Sequence, residues 1–129
     1  MKKSILAVLI ALCLPTATAW ATTGENTNVQ QALTTSALVK PINAEFFGYA
    51  VYNPNAAAVW VSWYNTKTAP TIGSTTNLLF QVAVPAGATL NIEFTNGIDF
   101  NTGLYVAVAT TATGSTAPAT GLTITTVYK

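Results

Sequence analysis

The chain has 129 residues, of which 50% are hydrophobic and 7% charged, with a formal net charge of +1 and no histidine. This length accommodates one domain. Without histidine, the commonest general base and the commonest metal ligand are both missing, and the sequence contains no arginine either. So few charges cannot form the lysine and arginine clusters that bind nucleic acid or anionic lipid. Composition therefore excludes histidine-dependent catalysis and predicts no nucleic-acid partner.

The N-terminus has the three parts of a signal peptide. Two lysines are followed by a short apolar run over 4–14, a proline and then small residues. Cleavage after Ala19 or after Ala21 fits the A-x-A pattern. The apolar run is about ten residues long, whereas a membrane-spanning helix needs about 20. We therefore predict a signal peptide over 1–21 and a secreted protein, extracellular, periplasmic or on the cell surface, without a transmembrane segment in the mature chain.

The single cysteine, Cys13, lies within this signal peptide. The residue before it is leucine, where a lipid-modified cysteine requires a small residue, so no lipid anchor is predicted. The mature chain keeps three lysines against four acidic residues, a net charge of −1. Since it cannot form a disulfide, its stability must come from a packed core, from partner subunits or from both.

Residues 22–40 show neither a sustained helical stripe nor strict alternation. We interpret 22–31 as a flexible leader. The second half contains Leu33, Ala37 and Val39, which could supply apolar contacts to an extra strand on this subunit or on a neighbouring one. Two predictions for 22–40 therefore stay open, a disordered tether and a donated strand.

From Asn43 onward the hydrophobic period changes to two, which indicates β-strands. The stretches FFGYAVY and VWVSWYN flank the turn sequence NPNAAA, and we interpret them as a hairpin. Further strands are predicted at LLFQVAV, TLNIEF, LYVAVAT and LTITTVYK. In TLNIEF the alternation directs Leu90, Ile92 and Phe94 toward the core. No helical period of ten or more residues follows the signal peptide.

Six or more short strands with turn signals every 8 to 12 residues or so predict an all-β fold. We expect a single antiparallel β-sandwich or jelly-roll-like domain over 41–129. Sheet edges in such a domain are open to pairing with other chains, and few charges are present here to prevent it. The sequence therefore predicts a homo-oligomer.

Carboxylates remain as candidates for catalysis. Glycoside hydrolysis needs two of them, about 5 to 10 Å apart. We interpret Glu93 as a solvated strand residue and Asp99 as a turn residue. The spacing of Asp99, Asn101 and Gly103 is that of the start of a calcium loop, but no acidic residue follows Asp99 to complete it. A serine–lysine pair has no recognisable motif. We therefore predict no enzyme activity, no cofactor and no metal.

Aromatic residues give the best functional signal. Trp60 and Trp63 lie three residues apart on one predicted strand, so they point to opposite faces. Only one is expected in the core, and the other shares a face with Tyr64 or Val61. Exposed aromatic rings stack on sugars or anchor subunit interfaces. Trp60, Trp63 and Tyr64 are thus candidate interface or glycan contacts, with burial of both tryptophans as the alternative.

The segments VYNPNAAAVWVSWYN, VPAGATLNIEF, NGIDFNTGLYVAVATTATG and VYK follow one another between Gly48 and Lys129. In this order and spacing they resemble a family of largely uncharacterised small β-sandwich domains common in bacteriophage and prophage-like proteins. The resemblance implies a module of virion surfaces, tails or decoration and brings no catalytic or binding residue. The signal peptide departs from the family pattern and favours a module used outside the cell.

Together these features predict a secreted non-enzymatic structural protein that self-assembles into an oligomer, a filament or a surface layer. The alternative is a carbohydrate-binding or adhesion module that uses exposed aromatic residues to contact a glycan or a cell surface.

Overall fold

The computed structural model describes residues 24–129, so the predicted signal peptide and its cleavage site lie outside the described residues. This part of the chain forms eight β-strands and no helix. It accordingly contains no helix that could cross a membrane. The strands are β1 (Asn26–Leu33), β2 (Ser36–Lys40), β3 (Ala44–Tyr52), β4 (Val59–Asn65), β5 (Leu78–Val84), β6 (Thr89–Phe100), β7 (Leu104–Ala109) and β8 (Leu122–Tyr128).

The strands form two four-stranded sheets, here called sheet A (order β1-β8-β3-β6) and sheet B (order β2-β7-β4-β5). Every strand pair is antiparallel. Consecutive strands lie in opposite sheets, except that β4 and β5 are neighbours in sheet B. Eight strands in this order make a double-sheet jelly roll. The predicted antiparallel β-sandwich of jelly-roll type is confirmed.

The predicted hairpin between FFGYAVY and VWVSWYN is wrong. Strand β3 pairs with β6 and β8, whereas β4 pairs with β5 and β7. Residues 53–58 therefore cross from sheet A to sheet B instead of turning back. Two alternating strands look the same in sequence whether they pair or face each other across a core, because each buries one face in both cases.

The flexible leader predicted for 22–31 is corrected from Asn26 onward, and the second half of 22–40 forms an extra strand on this subunit, one of the alternatives that the sequence left open. Strand β1 pairs with β8 and β2 pairs with β7 of the same chain, so the sandwich begins at Asn26 and not at Pro41. Both are edge strands. In β1 no residue is buried, and in β2 only Val39 is. Strands that bury so little lack the hydrophobic alternation on which a sequence-based assignment depends.

The core fills the space between the sheets and contains the largest buried side chains, Trp63, Tyr49 and Phe46. Full burial of a large apolar side chain contributes about 1.5–3 kcal/mol. The aliphatic part of the core consists of valines, leucines and one isoleucine: Val39, Val51, Val59, Val61, Val84, Leu104, Val106, Val108, Leu122 and Ile124.

The predicted inward face of β6 is confirmed for Leu90 and Phe94, which pack against the core. The side chain of Ile92 is 42% exposed. Strand β6 lies at the edge of sheet A, so its inward side chains have a neighbouring strand on one side only. Position at an edge therefore limits the burial that alternation alone would predict.

Two loops, 66–77 and 110–121, lie against each other over the outer face of sheet B. Gly73 of the first loop has a φ of 84°, in the left-handed region that favours glycine. A β-carbon at this position would overlap the backbone carbonyl of Thr113 in the second loop. Only glycine therefore permits this close approach of the two loops.

Strand β5 is hydrogen-bonded to the second of these two loops. The Gln81 side-chain amide donates hydrogen bonds to Ser62 Oγ at 2.8 Å and to the carbonyl of Ala112 at 3.0 Å. The outer face of sheet A is different, since Val29 is 53% and Tyr52 45% exposed there. The sandwich thus has one covered face and one open face.

Candidate functional site

The three aromatic residues predicted as surface contacts are mostly inside the protein. Trp63 and Tyr64 are fully buried, and Trp60 is half-buried. Trp63 faces the core together with Val61, as the alternation predicts, and Tyr64 lies on the outer face of sheet B, which loops cover. The prediction of interface or glycan contacts is therefore wrong for Trp63 and Tyr64. Trp60 is the remaining candidate of the three.

Trp63 belongs instead to a cluster of six aromatic rings between the sheets. Its ring centroid lies 4.7 Å from that of Tyr49 and 5.3 Å from that of Phe46. Contacts at these distances add to the burial of apolar surface. Phe46 is central, with ring centroids within 6.3 Å of those of Tyr49, Trp63, Phe80, Phe94 and Phe100.

Three aromatic side chains within and beside this cluster have polar groups in unusual environments. The indole N–H of Trp63 and the hydroxyl of Tyr64 are buried and find no hydrogen-bond partner among the described residues. Burial raises the pKa of Tyr49 above its ordinary value of 10.0, because the phenolate is poorly solvated there. Trp63 and Tyr49 lie between the sheets, and Tyr64 lies beneath the loops on the outer face of sheet B, so the cluster is a structural core.

The carboxylates of Glu93 and Asp99 lie on the exposed edge strand β6. Glu93 pairs with Gly48, and Asp99 pairs with Glu45. Asp99 therefore belongs to a strand, whereas the sequence placed it in a loop. A register shift between Phe46 and Gly48 on the facing strand separates the two acidic positions.

Gly103, the last residue of the calcium-like spacing that begins at Asp99, has a structural role. A β-carbon at Gly103 would stand 2.8 Å from the carbonyl oxygen of Thr66 and 3.1 Å from that of Lys40, so glycine allows three chain segments to meet. The described residues contain no group of three or more histidine, cysteine, aspartate or glutamate side chains that could hold a metal ion.

Asn53 joins two chain segments, the crossing 53–58 and the end of β5, at one end of the sandwich. Its side chain is fully buried. The amide nitrogen donates to the carbonyl oxygens of Ala57, Val84 and Pro85 at 2.9 to 3.1 Å. Its Oδ1 accepts from the backbone N–H of Asn55 at 3.0 Å and from the Asn55 side chain at 2.9 Å. The sequence indicated only a turn here, because such long-range acceptors have no local signature.

Charged side chains are concentrated at the opposite end of the sandwich, the charged end. Of the seven within residues 24–129, six lie where β1, β3 and β5 begin and where β2, β4, β6 and β8 finish. These six are Glu25, Lys40, Glu45, Lys67, Asp99 and Lys129, and the seventh is Glu93. The loops of the other end, 34–35, 53–58, 85–88 and 110–121, contain no charged residue.

Lys129 lies at the centre of this charged end. Its backbone exchanges hydrogen bonds with Glu45 at 2.9 and 3.1 Å, which continues the β3–β8 ladder. Its Nζ lies 5.0 Å from the ring centroid of Phe47, a cation–π contact. It borders two shallow depressions, one also lined by Glu45 and Asp99 and the other by Glu25 and Glu93. One lysine therefore shares two depressions with four acidic residues.

The charge distribution leaves two of the four edge strands, β1 and β5, without any charged residue. Strand β2 has Lys40, and β6 has Glu93 and Asp99. Charges, prolines and bulges on edge strands prevent pairing with other chains. Register shifts interrupt β1 near Ala32 and β5 near Leu79, but both strands present several regularly paired residues. The unpaired backbone groups of β1 and β5 are therefore the least protected.

No protein-family model and no curated protein matches the chain. Among solved structures, a chain from work on Bacillus endospore appendages, described as a novel family of disulfide-linked pili, is similar over 81% of this chain and 82% of its own. The identity is 15% and the TM-score 0.40, values that assign no function. The resemblance to phage-type domains stays a prediction.

Proposed function

We propose that the chain is an exported, non-enzymatic building block that self-assembles into an oligomer, a filament or a surface layer. The observation that carries this proposal is the concentration of charge toward one end, which leaves the edge strands β1 and β5 uncharged. Unpaired N–H and C=O groups on such an edge form hydrogen bonds readily with a strand of another copy.

The placement of the carboxylates supports a role without catalysis. Glu93 and Asp99 lie along one exposed edge strand and do not face each other across a cleft. A pair that hydrolyses glycosides must hold a sugar between its two members. The best-organised polar group, around Asn53, is occupied in joining the crossing 53–58 to the end of β5.

Light scattering of the exported chain over a range of concentrations tests the proposal. We expect masses that rise in multiples of the monomer, with particles visible by electron microscopy. Because the joining edges carry no charge, the mass should change little between about 0.05 and 1 M salt, where exposed charge pairs are screened. A chain that stays monomeric at every concentration would contradict self-assembly, and a mass that collapses in high salt would contradict uncharged edges.

Glycan binding is the second candidate, and one observation favours it. Tyr52 is 45% exposed on the open face of sheet A, and its cross-strand partners are Thr89 and Thr123. An exposed ring beside hydroxyl groups suits stacking on a sugar. This site would be supported by glycan-array binding that is lost in Tyr52→Ala and kept in Trp60→Ala. Absence of binding to the array would contradict it.

A further inference from the structure

We propose that β1 is an exchangeable strand: in the assembled state it leaves β8 of its own chain and pairs with β8 of a second copy. The proposal rests on the proposed function, because it states how self-assembling copies are joined. Three properties support it: the weak attachment of β1 to the core, the row of β8 backbone groups that β1 covers, and the strained bulge at the end of β1.

The attachment of β1 depends mainly on its backbone. It alone of the eight strands in the described part of the chain has no buried residue. Only Leu33 packs against the core. Asn28 and Gln30 bond to each other instead, with the Gln30 amide donating to Asn28 Oδ1 at 2.7 Å. Departure of β1 therefore gives up little apolar burial.

The edge that β1 covers belongs to β8, a strand that is firmly packed into the core. Strand β8 pairs with β1 from Asn26 to Leu33, and its side chains Leu122 and Ile124 are fully buried. Without β1, this row of backbone N–H and C=O groups would meet water. The vacated edge thus favours a replacement strand, and Asn26–Gln30 of another copy offer the same ladder contacts that the original segment made.

The bulge at the end of β1, just before the connection to β2, stores strain that exchange hinged at this bulge would release. Ala32 has a φ of 54°, in the left-handed region that is unfavourable for a residue with a β-carbon. Its backbone lies so close to Gly121 that a β-carbon at Gly121 would overlap it. Only Gln31 and Ala32 lie between the regular ladder Asn26–Gln30 and Leu33, so exchange of Asn26–Gln30 hinges at this bulge. Short, strained hinges favour exchange between copies, because the hinge relaxes when the strand extends away.

Exchange lets each copy donate one strand and accept one. Two copies that exchange reciprocally form a closed dimer, and copies that pass the strand onward form an open chain. Either product has the same new contact, β1 of one copy beside β8 of another. A test that reads this contact directly therefore covers both forms.

Paired cysteines at cross-strand positions provide that test. Val29 and Thr125 face each other across the β1–β8 ladder, at separations that suit a disulfide. The Val29→Cys/Thr125→Cys chain is made in a Cys13→Ser background, assembled and then oxidised. The matched control is Tyr52→Cys/Thr123→Cys, which joins β3 to β8 within one copy. Denaturing electrophoresis without reductant then separates bonds within one chain from bonds between chains.

Exchange predicts covalent dimers or ladders for the Val29–Thr125 pair and single chains for the control. An assembly in which Val29→Cys/Thr125→Cys links only within single chains overturns the exchange and leaves the proposed function standing. A wild-type chain that never assembles overturns both. As a second measurement free of engineered thiols, Ala32→Gly should raise the concentration for half-assembly by about 5- to 30-fold, since glycine tolerates the closed hinge. An unchanged concentration contradicts the role of the hinge.

Discussion

The side chain of Asn55 forms two hydrogen bonds with the backbone of Thr120, in the manner of a short β-bridge. Its Oδ1 accepts from the Thr120 N–H at 2.8 Å, and its Nδ2 donates to the Thr120 carbonyl at 2.8 Å. The two residues are 65 positions apart in sequence. Since Asn55 also bonds to Asn53, the loop 110–121 is connected to the crossing segment 53–58 and through it to the end of β5.

Replacement of Asn53 by alanine should destabilise the fold strongly. The change removes the donors to three carbonyl groups and the acceptor for Asn55 inside a fully buried site. We expect a loss of about 2–4 kcal/mol in the free energy of unfolding, measured by urea denaturation. Asn91→Ala, on the exposed side of β6, is the matched control and should change stability by less than about 0.5 kcal/mol. Equal effects of the two substitutions would contradict the role assigned to Asn53.

The two tryptophans on β4 should respond differently to truncation. Trp63→Ala leaves a cavity among six rings and should cost about 3–5 kcal/mol. Trp60→Ala removes a half-buried side chain on the other face and should cost clearly less. In chains that also carry Trp20→Phe, iodide quenching of fluorescence offers an independent check, because Trp60 should be quenched in the variant that lacks Trp63, and Trp63 protected in the variant that lacks Trp60. Protection of Trp60 together with quenching of Trp63 would contradict the assignment of Trp63 to the core.

Stability should fall in alkaline solution through Tyr49. Its pKa in the folded protein is raised above 10.0 by burial. Below pH 10 both states keep the proton, so the contribution of Tyr49 is fully present. As pH rises above 10, the unfolded chain releases the proton first, and stability falls by up to about 1.4 kcal/mol per pH unit. Unfolding free energies at pH 7 to 11 should therefore decline less steeply in Tyr49→Phe, and an unaltered slope would exclude Tyr49 as the cause.

The cross-strand pair of Glu45 and Asp99 should slightly reduce stability, because like charges directly opposite repel each other. Asp99→Asn is expected to stabilise the protein by about 0.2–1 kcal/mol in low salt, with no gain in 1 M salt, where exposed charges are screened. Thermal unfolding at the two salt concentrations measures this difference. Glu93→Gln is the control, since Glu93 faces Gly48. A gain that persists in high salt would point to a cause other than charge repulsion.

Alternation was sufficient to predict the central strands and the all-β class. The valines and Trp63 of β4 face the core as their spacing indicates, because a period of two follows directly from strand geometry. The pairing of strands was not predictable, since a crossing and a hairpin place the same residues inward. Strand β1 was missed because its sequence, NTNVQQAL, has too few apolar residues to show a buried face.

The candidate site was harder to predict than the fold. Opposite faces for Trp60 and Trp63 were correctly inferred, but the burial of Tyr64 depends on loops that cross over sheet B from distant parts of the chain. The network around Asn53 likewise uses carbonyl groups more than 30 positions away in sequence. Such contacts depend on tertiary arrangement, of which the local sequence gives no sign.

The uneven placement of lysine also determines how the chain responds to proteases. From Thr68 to Tyr128 the sequence contains neither lysine nor arginine. Trypsin, which cleaves after those residues, would therefore release β5 to β8 as one long peptide even from the unfolded chain. Chymotrypsin has tyrosine and phenylalanine as targets throughout the same stretch, but most of them lie between the sheets and become accessible only when the sandwich opens. Resistance to the first enzyme is thus a property of composition, and resistance to the second is a measure of folding.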